Sequence, residues 1–95
     1  MRIHWLKRAS RNLLELELYI AQENPRAAIQ VSLKILEAIE LLREQPALGR
    51  CGRVFGVREL VIVGTPYIVP YRVKKDCIYI LRVFHGAMRW PMNLD

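Results

Sequence analysis

The chain has 95 residues, 53% of them hydrophobic, with 15 Lys and Arg against 9 Asp and Glu for a net charge of +6. A chain this short folds as one domain over a thin core, so part of that apolar surface stays outside for a partner, and the positive balance suits an acidic protein or a nucleic acid. No stretch reaches the ~20 apolar residues of a membrane span. Residues 1–10 are basic without the apolar run of a signal peptide, and Cys51 and Cys77 lack metal-type spacing. The expectation is a soluble, cytoplasmic protein with two free thiols and no metal or cofactor.

Residues 2–6 alternate polar and apolar around Ile3 and Trp5 and predict a short strand. A helix follows, with Ala9, Leu13, Leu16 and Ile20 on one face. Leu14, Leu18 and Ala21 form a second stripe roughly 140° away, where a solvated helix would be polar. Asn24 and Pro25 then open a second helix as N-cap and first helical residue. It is expected to run to about Glu44, with Ala28, Val31, Ile35, Ile39 and Leu42 as its main stripe and Ile29, Leu33 and Leu36 widening the apolar sector. The short connection makes the two helices an antiparallel hairpin.

Residues 46–57 hold three glycines and two arginines and predict a loop. Three β-branched runs follow, at 58–63, 67–73 and 77–85, separated by turn signals, and predict an antiparallel meander. The fold class is therefore α+β: an N-terminal strand, an antiparallel helical hairpin, then a three-stranded antiparallel sheet that the first strand joins. Pro70 donates no ladder bond and predicts a bulge or an unpaired edge.

Strand parity divides the sheet. Tyr67, Val69, Tyr71, Val73, Tyr79, Leu81 and Val83 are expected beneath the hairpin, and Arg72, Arg82, Ile78, Ile80 and Phe84 on the open face, because a helix-covered face does not cheaply hold an unpaired guanidinium. The core is expected to be Ala9, Leu13, Leu16, Ile20, Val31, Ile35, Ile39 and Leu42 against Leu81 and Val83.

No nucleotide-binding, metalloprotease or nucleophilic-triad motif is present. One reaction needs neither metal nor carboxylate: attack by a ribose 2′-hydroxyl, which requires a base, an acid and cations. Arg58, Arg72, Arg82, Arg89 and His85, with Tyr67 or Tyr71, could supply these. The competing reading is that the arginines recognise an acidic protein and that Trp90 plugs the core.

The ordered combination of Trp5, Tyr19-Ile20-Ala21, Asn24-Pro25-Arg26, Gly49-Arg50, Gly52-Arg53, Arg58-Glu59-Leu60, Pro66-Tyr67, Tyr71-Arg72-Val73, Leu81-Arg82-Val83, His85-Gly86 and Arg89-Trp90-Pro91 resembles the RelE/ParE superfamily of bacterial type II toxins. The resemblance covers nearly the whole chain. It implies a cognate antitoxin whose C-terminal segment wraps the toxin, a toxin–antitoxin hetero-oligomer, and operator DNA bound through the antitoxin. RelE-like members cut mRNA on the ribosome; ParE-like members poison DNA gyrase. Ile68 stands where a RelE-type enzyme carries an arginine, and the sequence looks closer to ParE and the plasmid-stabilisation group. The resemblance therefore implies a gyrase poison that is not an enzyme, with a ribosome-dependent endoribonuclease as the alternative. Expected target-binding residues are Arg58, Arg72, Arg82, His85, Arg89 and Trp90. Expected antitoxin-binding residues are Leu14, Leu18, Ala21, Arg72, Ile78, Ile80 and Arg82. Were the chain a nuclease, His85, Arg82, Arg89 and Arg58 would be the catalytic candidates.

Overall fold

A computed structural model describes residues 1–91, 93 and 94. Strand β1 (Arg2–Trp5) leads at once into helix α1 (Lys7–Ala21), with Leu6 extended between them. Helix α2 (Pro25–Glu40) starts as its sequence dictates: the Asn24 Oδ1 accepts the Ala27 N–H at 3.1 Å, and Pro25 occupies the first turn, where its missing donor costs nothing. The helix ends earlier than its periodicity predicts, because Leu41–Arg43 tighten into a 3₁₀ turn. Leu42 still reaches the core, since one such turn leaves the apolar stripe in phase.

The sheet is completed by β2 (Arg50–Cys51), β3 (Arg58–Val61), β4 (Tyr67–Lys74), β5 (Cys77–Ile80) and β6 (Phe84–His85). Its order is β1-β5-β4-β3-β2, with β6 also on β4. The meander is antiparallel, and β1 joins it parallel to β5. Strand β2 lies inside the segment expected to be a loop and pairs only Arg50 and Cys51 with Glu59 and Arg58.

The third predicted run is broken in two, and the break explains the main correction to the predicted faces. Tyr71 lies opposite Ile80 and Ile68 opposite Phe84, so Val69 and Pro70 face three residues, 81–83. That is a bulge, placed on the partner of the strand that carries Pro70. The Leu81 N–H still donates to the Pro70 carbonyl at 3.0 Å, whereas the Val83 N–H leaves the ladder and donates to Asn12 Oδ1 of α1 at 3.1 Å. One extra residue inverts the alternation across it, so Val83 and Phe84 lie on the faces expected for them while Ile78, Ile80 and Leu81 do not.

Two apolar clusters result. Ala9, Leu16, Ile35, Ile39 and Leu42 of the hairpin pack on Leu60, Ile62, Val69, Tyr71, Ile78, Ile80 and Val83, with Leu13, Ile20 and Val31 at the margin. On the far face, Val57, Leu81, Phe84 and Leu94 form a second core with Leu6, Val54, Tyr79 and Trp90 around it. Ile78 and Ile80, expected on the open face, are fully buried beneath the hairpin, and Leu81, expected beneath it, lies on the other side. The open face is not open: residues 54–57 and the C-terminal segment cover it.

Tyr71, fully buried, pins the connection between hairpin and sheet. Its hydroxyl donates to the Pro46 carbonyl and accepts the Gly49 N–H, both at 2.8 Å. A Cβ on Gly49 would stand 2.6 Å from the Tyr71 ring, so only glycine passes so close. Among the described residues, no helix is long and apolar enough to cross a membrane.

Candidate functional site

Exposed aliphatic side chains gather on the helical hairpin. On the outer side of the hairpin, Leu14 and Leu18 of α1 are 56% and 60% exposed, and Ala21 is half-buried. Ile29, Leu33 and Leu36 of α2 are also exposed. Spacings of three and four place each set on one helical stripe turned away from the residues that pack on the sheet. A hairpin exposing aliphatics on both helices presents the kind of surface a partner covers.

Beside α2 the groove continues. Lys34, Glu37, Ala38 and Leu41 face Leu48, Arg50 and residues 59–63 across an opening of ≈ 600 Å³. The register with β2 stops at Glu59, so beyond it β3 is a sheet edge among the described residues, with Val61 exposed on it and Val63 exposed just past its end. The sequence reading missed this groove. The signal was present in Val61 and Val63: alternate residues of a β-branched run, with no strand predicted beside them.

The cationic residues divide. Arg58 donates through Nη1 to the carbonyls of Gly49 at 2.7 Å and Ala47 at 3.3 Å, which fixes the same loop that Tyr71 holds. Arg82 is 4% exposed, with its guanidinium 5.9 Å from the Phe84 ring centroid. Its expected exposure is therefore overturned: Phe84 beside it lies opposite the hairpin as expected, but coil covers that face. Trp90 is half-buried against the second core, its ring 5.0 Å from Phe84 and its face under Arg53 at 3.7 Å. It is the plug of the alternative reading. Arg72 is half-buried, and His85 and Arg89 are exposed.

Glu59 organises the arginines on this side. It is 2% exposed, and its carboxylate accepts the Arg53 N–H at 2.8 Å, Arg53 Nε at 3.1 Å and Arg50 Nη2 at 3.1 Å. Burial pushes this carboxyl up, but the Arg53 amide and the two guanidiniums outweigh it and hold the group below the usual carboxylate range.

At the other end of β4, His85 lies opposite Tyr67, with ring centroids 5.8 Å apart. Burial raises the Tyr67 hydroxyl's pKa. The His85 Nδ1 accepts the Ala87 N–H at 3.1 Å, so the neutral ring carries its proton on Nε2 and offers a donor there. Arg58 pairs with Tyr71 and His85 with Tyr67; four residues of strand hold them roughly 13 Å apart along β4. The four residues expected for a nuclease do not converge. Arg82 is buried, Arg58 is tied to a loop, and His85 and Arg89 are exposed.

The fold is a mostly antiparallel sheet, coil-covered on one side and overlaid by an apolar-crested helical hairpin on the other. The chain belongs to the ParE toxin family of type II toxin–antitoxin systems, whose model matches residues 3–90. It is 45% identical over 93 residues to the candidate toxin Y4kP of Sinorhizobium fredii, an alignment spanning 98% of this chain and 96% of that one. Toxin RelE2 of Caulobacter vibrioides is 36% identical over 83 residues, covering 87% and 92% of the two chains. Among solved structures, the chromosomal ParDE toxin–antitoxin system from P. aeruginosa superposes with a TM-score of 0.81 at 30% identity, covering 90% of this chain and 95% of that one. The RelE/ParE resemblance and the α+β fold expected for it are thus borne out.

Proposed function

We propose that this toxin acts by recognition, inhibiting DNA gyrase, and that a cognate antitoxin neutralises it by covering the hairpin crest and the adjoining groove. The observation carrying the first half is the separation of the nuclease candidates: His85 pairs at the start of β4 and Arg58 four residues further along it, and Arg82 is buried. Cleavage by a 2′-hydroxyl needs a base within hydrogen-bond reach and cations around one phosphate. A histidine already accepting at Nδ1 and protonated at Nε2 is poorly set up as that base.

The antitoxin half is supported by the exposed aliphatics of both helices and by the ParDE system that the fold matches. A partner helix suited to this surface carries apolar anchors at i, i+3, i+4 and i+7, and acidic residues suit the +6 charge of the chain. Arg72, His85 and Arg89 remain the proposed target contacts. Operator DNA would be bound through the antitoxin in the assembled complex.

The test is the purified chain added to gyrase with supercoiled plasmid, and in parallel to translating ribosomes with mRNA. The expected result is inhibited supercoiling with intact message. Cleaved message with unaffected gyrase would replace this reading by ribosome-dependent RNA cleavage.

A further inference from the structure

Phe55 is 99% exposed, yet the turn carrying it is held firmly. The Val57 N–H donates to the Val54 carbonyl at 3.1 Å, and the Gly52 N–H donates to the Val57 carbonyl at 2.8 Å. Gly56 has φ +78, the left-handed position that a turn of this kind demands and glycine fills without strain. Val54 and Val57 turn inward to the second core, and Arg53 is clamped between Glu59 and the Trp90 ring. Phe55 is thus an aromatic side chain left in solvent and presented by a backbone with little freedom.

Its surroundings indicate what it meets. Arg72 lies against the turn, since a Cβ on Gly56 would come 3.2 Å from its Nη1. Lys74, two residues further along β4, shares the Arg72 side of the strand. An anchor for a protein partner is normally ringed by apolar contacts that exclude water. Here Val54 and Val57 turn into the core, the partly exposed Val73 lies beside Phe55, and the cations Arg58 and Arg72 border the turn. A lone aromatic face among cations is the combination that binds unpaired nucleotides, by stacking on the base and by charge on the phosphates.

We propose that the Phe55 turn is a stacking platform for an unpaired base of a single-stranded nucleic acid, with Arg72 and Lys74 on the flanking phosphates. The chemistry is common to DNA and RNA. It goes beyond the gyrase reading, because it concerns direct contact between this chain and a nucleic acid strand.

The test is fluorescence anisotropy with the full chain and labelled oligo-dT, oligo-U and duplex DNA, each about 12 nucleotides long, over a salt series. Single strands should bind more tightly than duplex. Phe55→Ala should weaken single-strand binding roughly tenfold at unchanged salt slope, and Phe55→Trp should restore it. Arg72→Gln and Lys74→Gln should each lower the slope of log K against log salt by about 0.7. The oligo-dT and oligo-U arms report whether one sugar is preferred. Absence of wild-type binding, equal binding of duplex, or an unchanged Phe55→Ala affinity would overturn the proposal. So would a Phe55→Ala chain that loses gyrase inhibition while binding oligonucleotides normally, which would make the turn a protein contact. A gyrase assay without effect alongside Phe55-dependent oligonucleotide binding would remove the gyrase reading and leave this one standing.

Discussion

On one side of the sheet, Val69, Tyr71, Ile78 and Ile80 lie under two helices; on the other, Leu81 and Phe84 lie under coil contributed by Val57, Trp90 and Leu94. The helical cover is aliphatic. The coil cover includes Arg53 stacked on Trp90 and a buried Arg82 near Phe84. Helices bring a continuous apolar stripe and few spare polar groups, so the face beneath them is uniformly hydrophobic. Coil brings aromatic rings at irregular positions, and a guanidinium can be accommodated against them. The same contrast divides the outer surfaces: the hairpin offers aliphatics to a protein, and the coil-covered side offers Phe55 among cations.

The largest expected effects test whether the two cores are separate. Ile35→Ala, Ile80→Ala and Leu81→Ala should each cost about 2–5 kcal/mol by denaturant unfolding. Ile35 and Ile80 share a core, and Leu81 lies across the sheet. The Ile35/Ile80 pair should therefore couple by about 0.5–3 kcal/mol, and the Ile35/Leu81 pair should add within about 0.5 kcal/mol. Coupling of the same size in both pairs would mean that the sheet has only one core.

A smaller effect is expected at Glu59→Gln, about 1–3 kcal/mol; its partners Arg50 and Arg53 are half-exposed, and solvent screens them. The folded-state pKa of Glu59 lies below its ordinary value of 4.5. The stabilisation is therefore present in full above the unfolded pKa, and it fades as pH falls below that value and through the folded one. Acid unfolding of the wild type should be steeper in that window than that of Glu59→Gln; identical profiles would remove Glu59 from the account.

The hairpin crest should be nearly silent for folding. Leu14→Glu with Leu18→Glu should change stability by no more than about 0.5 kcal/mol while weakening antitoxin binding in a pull-down or titration. A double variant that fails to fold would place these side chains in the core.

The helical side was legible because its signals are local and periodic. Asn24 and Pro25 announce α2, and the Ala9/Leu16 and Ile35/Ile39 spacings mark the buried stripes. The coil-covered side was not, for one structural reason: the three residues 81–83 opposite Val69 and Pro70 invert parity. Pro70 predicted a bulge but not on which strand, and that choice decides whether Ile80 or Leu81 meets the hairpin. The Arg82 placement followed from the rule that a helix-covered face excludes an unpaired guanidinium, which says nothing of coil, and coil covers the face where Arg82 lies near Phe84. Of the candidate site, the exposure of Leu14 and Leu18 was legible as excess apolar surface. The tying of Arg58 to two loop carbonyls and the clamping of Arg53 by Glu59 depend on contacts across six or more residues, which no local pattern records.

The claim that this toxin recognises rather than cleaves is tested most directly at His85. His85→Gln keeps a hydrogen-bonding side chain of similar reach and removes the titratable ring, so proton transfer is lost while recognition contacts persist. Expressed in cells without antitoxin, the His85→Gln chain should arrest growth and cause filamentation and DNA damage as the wild type does, with message left intact. Loss of toxicity in the variant, together with His85-dependent mRNA cleavage by the wild type in a translation extract, would contradict the account.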